Sequence, residues 1–376
     1  MSGPSSHGSP ATRPTTSPEP PSPTTAAGPP DPPPASRPHG GPEIAAVGCA
    51  GGTTEDTPPP SRTRTKHLAG SAPSQGPDDG DPMNDQNAPV ALGRVGMWSI
   101  ELSGIEPAAA TEVAAELHSQ GWGAIWLVGA GGPGMWNAAE RMLDAGSEAA
   151  VAFGVMSIWG ADADAAPAEH DRLTGKFGSR LMSGFGVSNP HSAAAVGKDF
   201  TTPINEMNKY LDMLDGAAPA LPRSQRLLGA LGPRMVDLAG RRTAGIHPFL
   251  VTAESNAGYR DILGADALIA PHLGVVLEED PARARAIARR GVGMFIGFPA
   301  YQANLRRLGF TDADLIPGGS DRLIDATVAW GSVDRIADRI AEHHAAGADH
   351  VALHVMNGKP GLPLAEWREL APLARP

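Results

Sequence analysis

The chain has 376 residues, a single cysteine and a formal net charge of −11, with a sequence pI near 5.5. That acidic balance argues against a protein built to grip nucleic acid or an anionic membrane. Cys49 has no partner for a disulfide within the chain, which favours a cytoplasmic setting, and no apolar run approaches the ~20 residues of a membrane-spanning helix.

The first 82 residues hold 20 of the 38 prolines and no Phe, Trp or Tyr. Without apolar bulk such a segment cannot offset the entropy of ordering, so residues 1–88 are expected to stay unfolded and residues 89–376 to form the globular domain. The segment has no continuous apolar core of a secretory signal. Arg62, Arg64 and Lys66 make only a small basic patch, expected to be solvated. Met83 stands just before the first structured run and is the expected natural start.

From Arg94 onward, strand and helix patterns alternate. Val95–Trp98 reads as a buried strand, and Pro107–Ser119 as a helix stopped at Gly121. Ala124–Val128 is a second strand, followed by a glycine cluster and a short helix over Trp136–Asp144. Ala149–Met156 is a third strand, a weaker helix spans Ala165–Thr174, and Leu181–Phe185 is a fourth. Thr202 and Pro203 supply a cap and first-turn proline for a helix whose Ile204, Met207, Leu211 and Leu214 share one face. Leu227-Leu228 enters the turn Gly229–Gly232, and Pro233 opens an amphipathic helix. Gly245–Leu250 is a sixth strand, Thr252 caps a helix running to Leu263, and Ala267–Leu277 contains a seventh strand. After the long segment Pro281–Trp330, Ser332 caps a helix stopped at Gly347, His350–Val355 is an eighth strand, and a last helix starts at Leu364. Eight such alternations predict an α/β protein, a closed (β/α)8 TIM barrel with an insertion between strands 7 and 8. A doubly wound open sheet is the alternative.

The stretches GRVGMWS (93–99), LGALGPRMVDLAG (228–240), HPFLVTAE (247–254) and VVLEEDPARARAIAR (275–289) resemble the luciferase-like monooxygenase superfamily. NLRRLGF (304–310) and GGSDRLIDATVAWG (318–331) are similar to its actinobacterial branch of oxidoreductases that use the deazaflavin coenzyme F420. The resemblance covers almost all of residues 93–356. It implies a barrel whose mouth holds a flavin-like cofactor, its phosphate near the turn after the fifth strand, and a non-prolyl cis peptide at Gly154-Val155 against the ring. Homodimerisation is a further implication.

Independent of family, Gly229, Ala230, Leu231 and Gly232 present backbone N–H groups at a helix start, an arrangement suited to phosphate. His247 is the leading ionisable candidate for proton transfer, against a histidine hydrogen-bonded in the barrel wall. Ser188 and Asn189 are expected at the ring edge or, equally, as a turn and cap before Pro190; His191 is a weaker candidate. Trp98, Tyr301, Asn304 and Arg307 are expected to line the substrate pocket. Arg283, Arg285, Arg289 and Arg290 fit a solvated helix face better than a docking site for the coenzyme's acidic tail. The second strand runs into Val128-Gly129-Ala130-Gly131, with none of the ionisable residues that F420-using relatives often carry there. Metal chemistry is not expected, because His343 and His344 are adjacent on a helix and diverge. The expected activity is hydride transfer between F420 and a small organic substrate. The alternatives are an FMN-dependent monooxygenase using reduced flavin and O2, and a non-catalytic flavin- or deazaflavin-binding carrier or sensor.

Overall fold

The computed structural model describes residues 88–375. The expectations that fall on Cys49, on Arg62, Arg64 and Lys66, and on Met83 lie outside the described residues. Ten parallel strands share one sheet. They are β1 (Val95–Ser99), β2 (Ala124–Gly129), β3 (Ala150–Ser157), β4 (Leu181–Gly186), β5 (Arg226–Leu228), β6 (Gly245–Ile246), β7 (Leu268–Ile269), β8 (His272–Val276), β9 (Val328–Trp330) and β10 (Val351–Val355). Between them run α1 (Pro107–Gln120), α2 (Pro133–Asp144), α3 (Ala165–Phe177), α4 (Pro190–Ala194), α5 (Pro203–Gly216), α6 (Pro233–Arg242) and α7 (Ser255–Leu263). The later helices are α8 (Pro281–Ile296), α9 (Pro299–Arg307), α10 (Asp321–Thr327), α11 (Val333–Ala345) and α12 (Leu364–Leu370).

The strand order runs β7-β6-β5-β4-β3-β2-β1-β10-β8-β9. The ring closes because β7 and β8 are two halves of one strand, interrupted at Pro271. On one side Leu268 N and Ala270 N donate to Ala244 O and Ile246 O; on the other, Asp349 N donates to Ile269 O and Ala352 N to Pro271 O. The result is the expected eight-membered (β/α) barrel, with helices outside and strand C-termini gathered at one mouth.

Side chains alternate across the wall as a strand requires. Val95, Met97, Ile125, Leu127, Val151 and Phe153 face outward and join the layer under the helices, while Trp98, Ala124, Trp126, Ala150, Ala152 and Ala352 face inward. The inward set mixes very small and very large residues. A Cβ on Gly96 would stand 2.8 Å from the His350 ring.

Strand β3 departs from this alternation. Leu127 pairs with Phe153 but Gly129 pairs with Met156, and Ala152 pairs with Met182 but Met156 with Phe185. One extra residue is therefore accommodated between Phe153 and Met156 relative to both neighbours, a bulge. It turns both Gly154 and Val155 toward the barrel interior, and the Gly154–Val155 peptide within it is cis.

Several local expectations change. β6 is two residues long rather than six, because Pro248 has no N–H to give a ladder and Leu250 takes a φ of 55°. Thr202 occupies the cap position of α5, but its side chain makes no capping bond. Thr252 bonds Ser255 Oγ at 3.1 Å, and α7 begins at Ser255 with Glu254 at its cap. Ser332 caps α11 as expected, accepting from Arg335 N. The insertion folds as α8, α9 and α10 and then adds β9, which lies along β8.

Candidate active site

At the mouth, Trp98 near the end of β1 links three regions. Its indole Nε1 donates to Gly154 O at 2.9 Å, one edge of the cis peptide. Its ring lies 4.5 Å from that of His354, 4.8 Å from His272 and 5.7 Å from Phe249. Phe249 continues upward to Phe295 and Tyr301 of the insertion, at 4.6 and 5.9 Å. An apolar, aromatic wall thus rises from the barrel floor into the roof. Burial raises the Tyr301 hydroxyl well above its ordinary value, so it stays protonated.

Four histidines fill the barrel beneath and beside Trp98. His350 Nε2 accepts from Trp126 Nε1 at 2.9 Å, so its proton sits on Nδ1 and is donated to Gly93 O. His247 gives Nδ1–H to Ala270 O at 2.7 Å and stacks on Trp126 at 4.4 Å. Its Nε2 has no hydrogen-bond partner and is buried under Gly154. His272 Nε2 and His354 Nδ1 share a hydrogen bond of 3.1 Å. Desolvation holds His247 down to about 4 and His350 and His354 down to about 3, and pushes His272 well below its ordinary value, so all four rings are neutral near pH 7.

Gly154 is packed tightly enough to be diagnostic. An added Cβ would meet the Trp126 ring at 2.7 Å, His247 Nε2 at 2.9 Å and Trp98 Nε1 at 3.0 Å. Gly154→Ala is therefore expected to cost about 1–3 kcal/mol of stability. Urea unfolding of the variant measures this; an unchanged midpoint would mean the rings can yield.

Val155 leans the other way. Its Cγ2 stands 2.6 Å from where a Cβ on Gly186 would lie, and 3.2 Å from one on Gly229. The Gly154–Val155 segment and the glycine turn after β5 are therefore neighbours at the mouth. In the turn, Gly229 N–H is already committed to Phe185 O at 2.8 Å. The N–H groups of Leu231 and Gly232 donate to no group of the described chain, and α6 starts immediately after them without a side-chain cap.

Arg307, at the end of α9, reaches this turn: its Nη2 would lie 3.4 Å from a Cβ on Gly232. The same nitrogen donates to Asn304 Oδ1 at 3.0 Å. Asn304 is buried, and its side-chain amide lies against the buried Tyr259 hydroxyl, the two groups facing each other beside the turn. Burial pushes that hydroxyl up to about 12. A cation beside two free backbone donors is what an anionic phosphate would satisfy.

The structure thus divides the four residues expected around the substrate. Trp98 and Tyr301 belong to the aromatic wall, whereas Asn304 and Arg307 stand by the glycine turn. Asn189 caps α4 through Oδ1, accepting from Ser192 N at 3.1 Å, and Ser188 bonds Ser192 Oγ at 3.0 Å, which is the turn-and-cap arrangement. His191 is exposed. Arg283 pairs with Glu278, Arg285 with Asp325, and Arg289 with Asp321, so these cations neutralise their own helix surroundings. His343 bonds Asn256 and His344 bonds Ala348 O. Among the described residues no group of three or more His, Cys, Asp or Glu could hold a metal ion.

Sequence reasoning missed His272, His350 and His354. Their signal was the inward register of the seventh and eighth barrel strands, in which His272, His350 and His354 replace the aliphatic residues of a common barrel core.

No family model and no curated protein matches the chain. Solved structures do. An F420-dependent secondary alcohol dehydrogenase, in complex with an F420-acetone adduct, superposes with a TM-score of 0.58 at 12% identity, over 76% of this chain and 99% of that one. The fold is that of the luciferase-like barrels. The coenzyme F420-dependent tetrahydromethanopterin reductase from Methanopyrus kandleri gives 0.56 at 16% identity, over 77% and 99%. The oxygenating constituent of 3,6-diketocamphane monooxygenase from the CAM plasmid of Pseudomonas putida, in complex with FMN, gives 0.55 at 11%, over 76% and 97%. At these identities the likeness of this chain to them is one of fold.

Proposed function

We propose that this luciferase-like barrel is a cytoplasmic oxidoreductase that binds coenzyme F420 and moves a hydride between it and a small organic substrate. The observation that carries the reading is the nearness of Val155, beside Gly154, to the turn after β5, where Arg307 approaches Gly232 and two backbone N–H groups are free. The residues fit a flat ring with a phosphate-bearing tail. Gly154 and Val155 would support the ring, and Gly229, Ala230, Leu231 and Gly232 with Arg307 and Asn304 would hold the phosphate. When bound, the deazaflavin supplies a carbon that takes or gives a hydride. The chain's own work is placement: Trp98 fixes the Gly154 carbonyl, and Phe249, Phe295 and Tyr301 exclude water above the floor. His247 supports the floor from below, with its free nitrogen turned to Gly154. Ser188 and Asn189 shape the loop after β4 beside Val155.

An FMN-dependent monooxygenase is the second reading, favoured by the fact that the same phosphate donors suit an FMN tail. Titrating the purified protein with F420 and with FMN, followed by fluorescence, separates the two. Micromolar or tighter F420 binding with weak FMN binding is expected. Tight FMN binding without F420 binding would transfer the chain to the monooxygenases, and binding of neither would end both readings. Binding of F420 with no turnover across carbonyl and enoyl acceptors would make it a carrier.

A further inference from the structure

The His272–His354 pair has a directional hydrogen bond whose polarity can be worked out. One of the two facing nitrogens carries the proton. If His354 Nδ1 donated, His272 would carry its own proton on Nδ1, which is buried with only the poorly aligned carbonyl of its own residue nearby. A buried orphan N–H is costlier and rarer than an unused lone pair. The favoured arrangement is therefore His272 Nε2–H donating to His354 Nδ1, with His272 Nδ1 bare. The proton of His354 then sits on Nε2.

That nitrogen makes no hydrogen bond within the described chain, and unlike His247 Nε2 and His272 Nδ1 it is not sealed from solvent. His354 is 7% exposed, near the C-terminal end of β10, directly across from Trp98 in the register. Its opening is to the mouth. The walls around it are Trp98, Phe249, Phe295 and Tyr301, linked through ring contacts. No charged side chain contributes to holding His354 neutral; burial alone does so.

We propose that His354 presents Nε2–H to the oxygen of an uncharged, apolar carbonyl substrate, an aromatic or alicyclic ketone, aldehyde or enone, and that His272 fixes this tautomer. The inference rests on the oxidoreductase reading for its chemistry but not for its geometry. A neutral imidazole N–H polarises a carbonyl and stabilises the negative charge that would grow on oxygen as a hydride from the reduced deazaflavin reached carbon; the alkoxide would then take its proton from water at the open mouth, so the imidazole keeps its own. Val128 and Gly129 at the end of β2 offer no ionisable side chain to compete for that oxygen. His354 would be the catalytic residue and His272 a positioning residue. The aromatic walls offer neither a counter-charge nor hydrogen-bond donors to a carboxylate, so carboxylate substrates should be excluded.

The test is nitrogen NMR of the full chain labelled with 15N-histidine, between pH 6.5 and 8.5, with acetophenone as probe. His354 is assigned by the signal that disappears in a His354→Asn variant. The expected result is an Nε2–H tautomer that does not titrate, and a shift of its N–H signal on adding acetophenone while the His247 signal stays. His272→Asn, which keeps an amide donor, should preserve the tautomer, whereas His272→Phe should release it. An Nδ1–H tautomer, an imidazolium, or a His354 signal indifferent to acetophenone would overturn the proposal. A shift with acetophenone in a protein that binds neither F420 nor FMN would instead sink the oxidoreductase reading and leave the carbonyl site standing.

Discussion

Gly232→Leu is expected to weaken binding of F420 by about 100-fold while leaving the circular dichroism spectrum unchanged. The magnitude follows from losing two hydrogen bonds to a charged phosphate, each worth about 1.5 kcal/mol. Gly232 has a φ of −86°, which any residue can adopt, and its Cβ would find only the Arg307 guanidinium at 3.4 Å. A leucine there therefore fits the fold, covers the free N–H and displaces the cation. Arg307→Gln should cost roughly tenfold by itself and reduce the salt dependence of binding. The two changes act on one phosphate, so their effects should not add. Unchanged affinity in a folded Gly232→Leu protein would place the phosphate elsewhere.

Acidification is expected to destabilise the protein by about 3 kcal/mol between pH 7 and pH 6, with unfolding by about pH 5. His170, His247 and His343 are held at about 4 and His350 and His354 at about 3, each by burial. In the unfolded chain these groups take up protons near the ordinary value of about 6.5. Below that value the unfolded state binds more protons than the folded one, so stability rises with pH through this window and is lost as pH falls through 6.5 toward the folded values. Each histidine contributes up to about 1.4 kcal/mol per pH unit within the window. Urea titrations at pH 7.5, 6.5 and 6.0 check this. A stability independent of pH over that range would mean that the buried rings take protons without unfolding.

The two effects differ in what the sequence revealed. The helix–strand alternation was legible because the longer strands are apolar runs and the helices between them have an apolar face. The glycine turn was legible for the same local reason: residues 229–232 lack bulk just before a proline. What sequence periodicity does not show is which distant residues share a layer. His272, His350 and His354 come together only because β8 and β10 pair, with Ala352 opposite His272 and His354 opposite Gly274. The bulge that turns Gly154 and Val155 inward depends on registers with β2 and β4, and no window on β3 alone contains them. Arg307 was read as a substrate contact from its place in the insertion; its approach to Gly232 depends on how α9 folds back over the mouth. Strand β9 was hidden in what looked like irregular insertion, because three residues carry too little pattern to be read as a strand.

That short strand has a mechanical meaning. Val328, Ala329 and Trp330 pair with Gly274, Val275 and Val276, on the side of β8 left free where the ring turns to β10. The roof over the mouth, α8 to α10, is thus fastened at its near end by the chain leaving β8 and at its far end by a ladder into the same strand. A flap carried on two anchors in one rigid beam cannot swing on a hinge without breaking main-chain hydrogen bonds. Traffic of small molecules is then expected through the flank of the mouth, with the roof acting as a fixed ceiling whose amide protons exchange as slowly as those of the barrel wall.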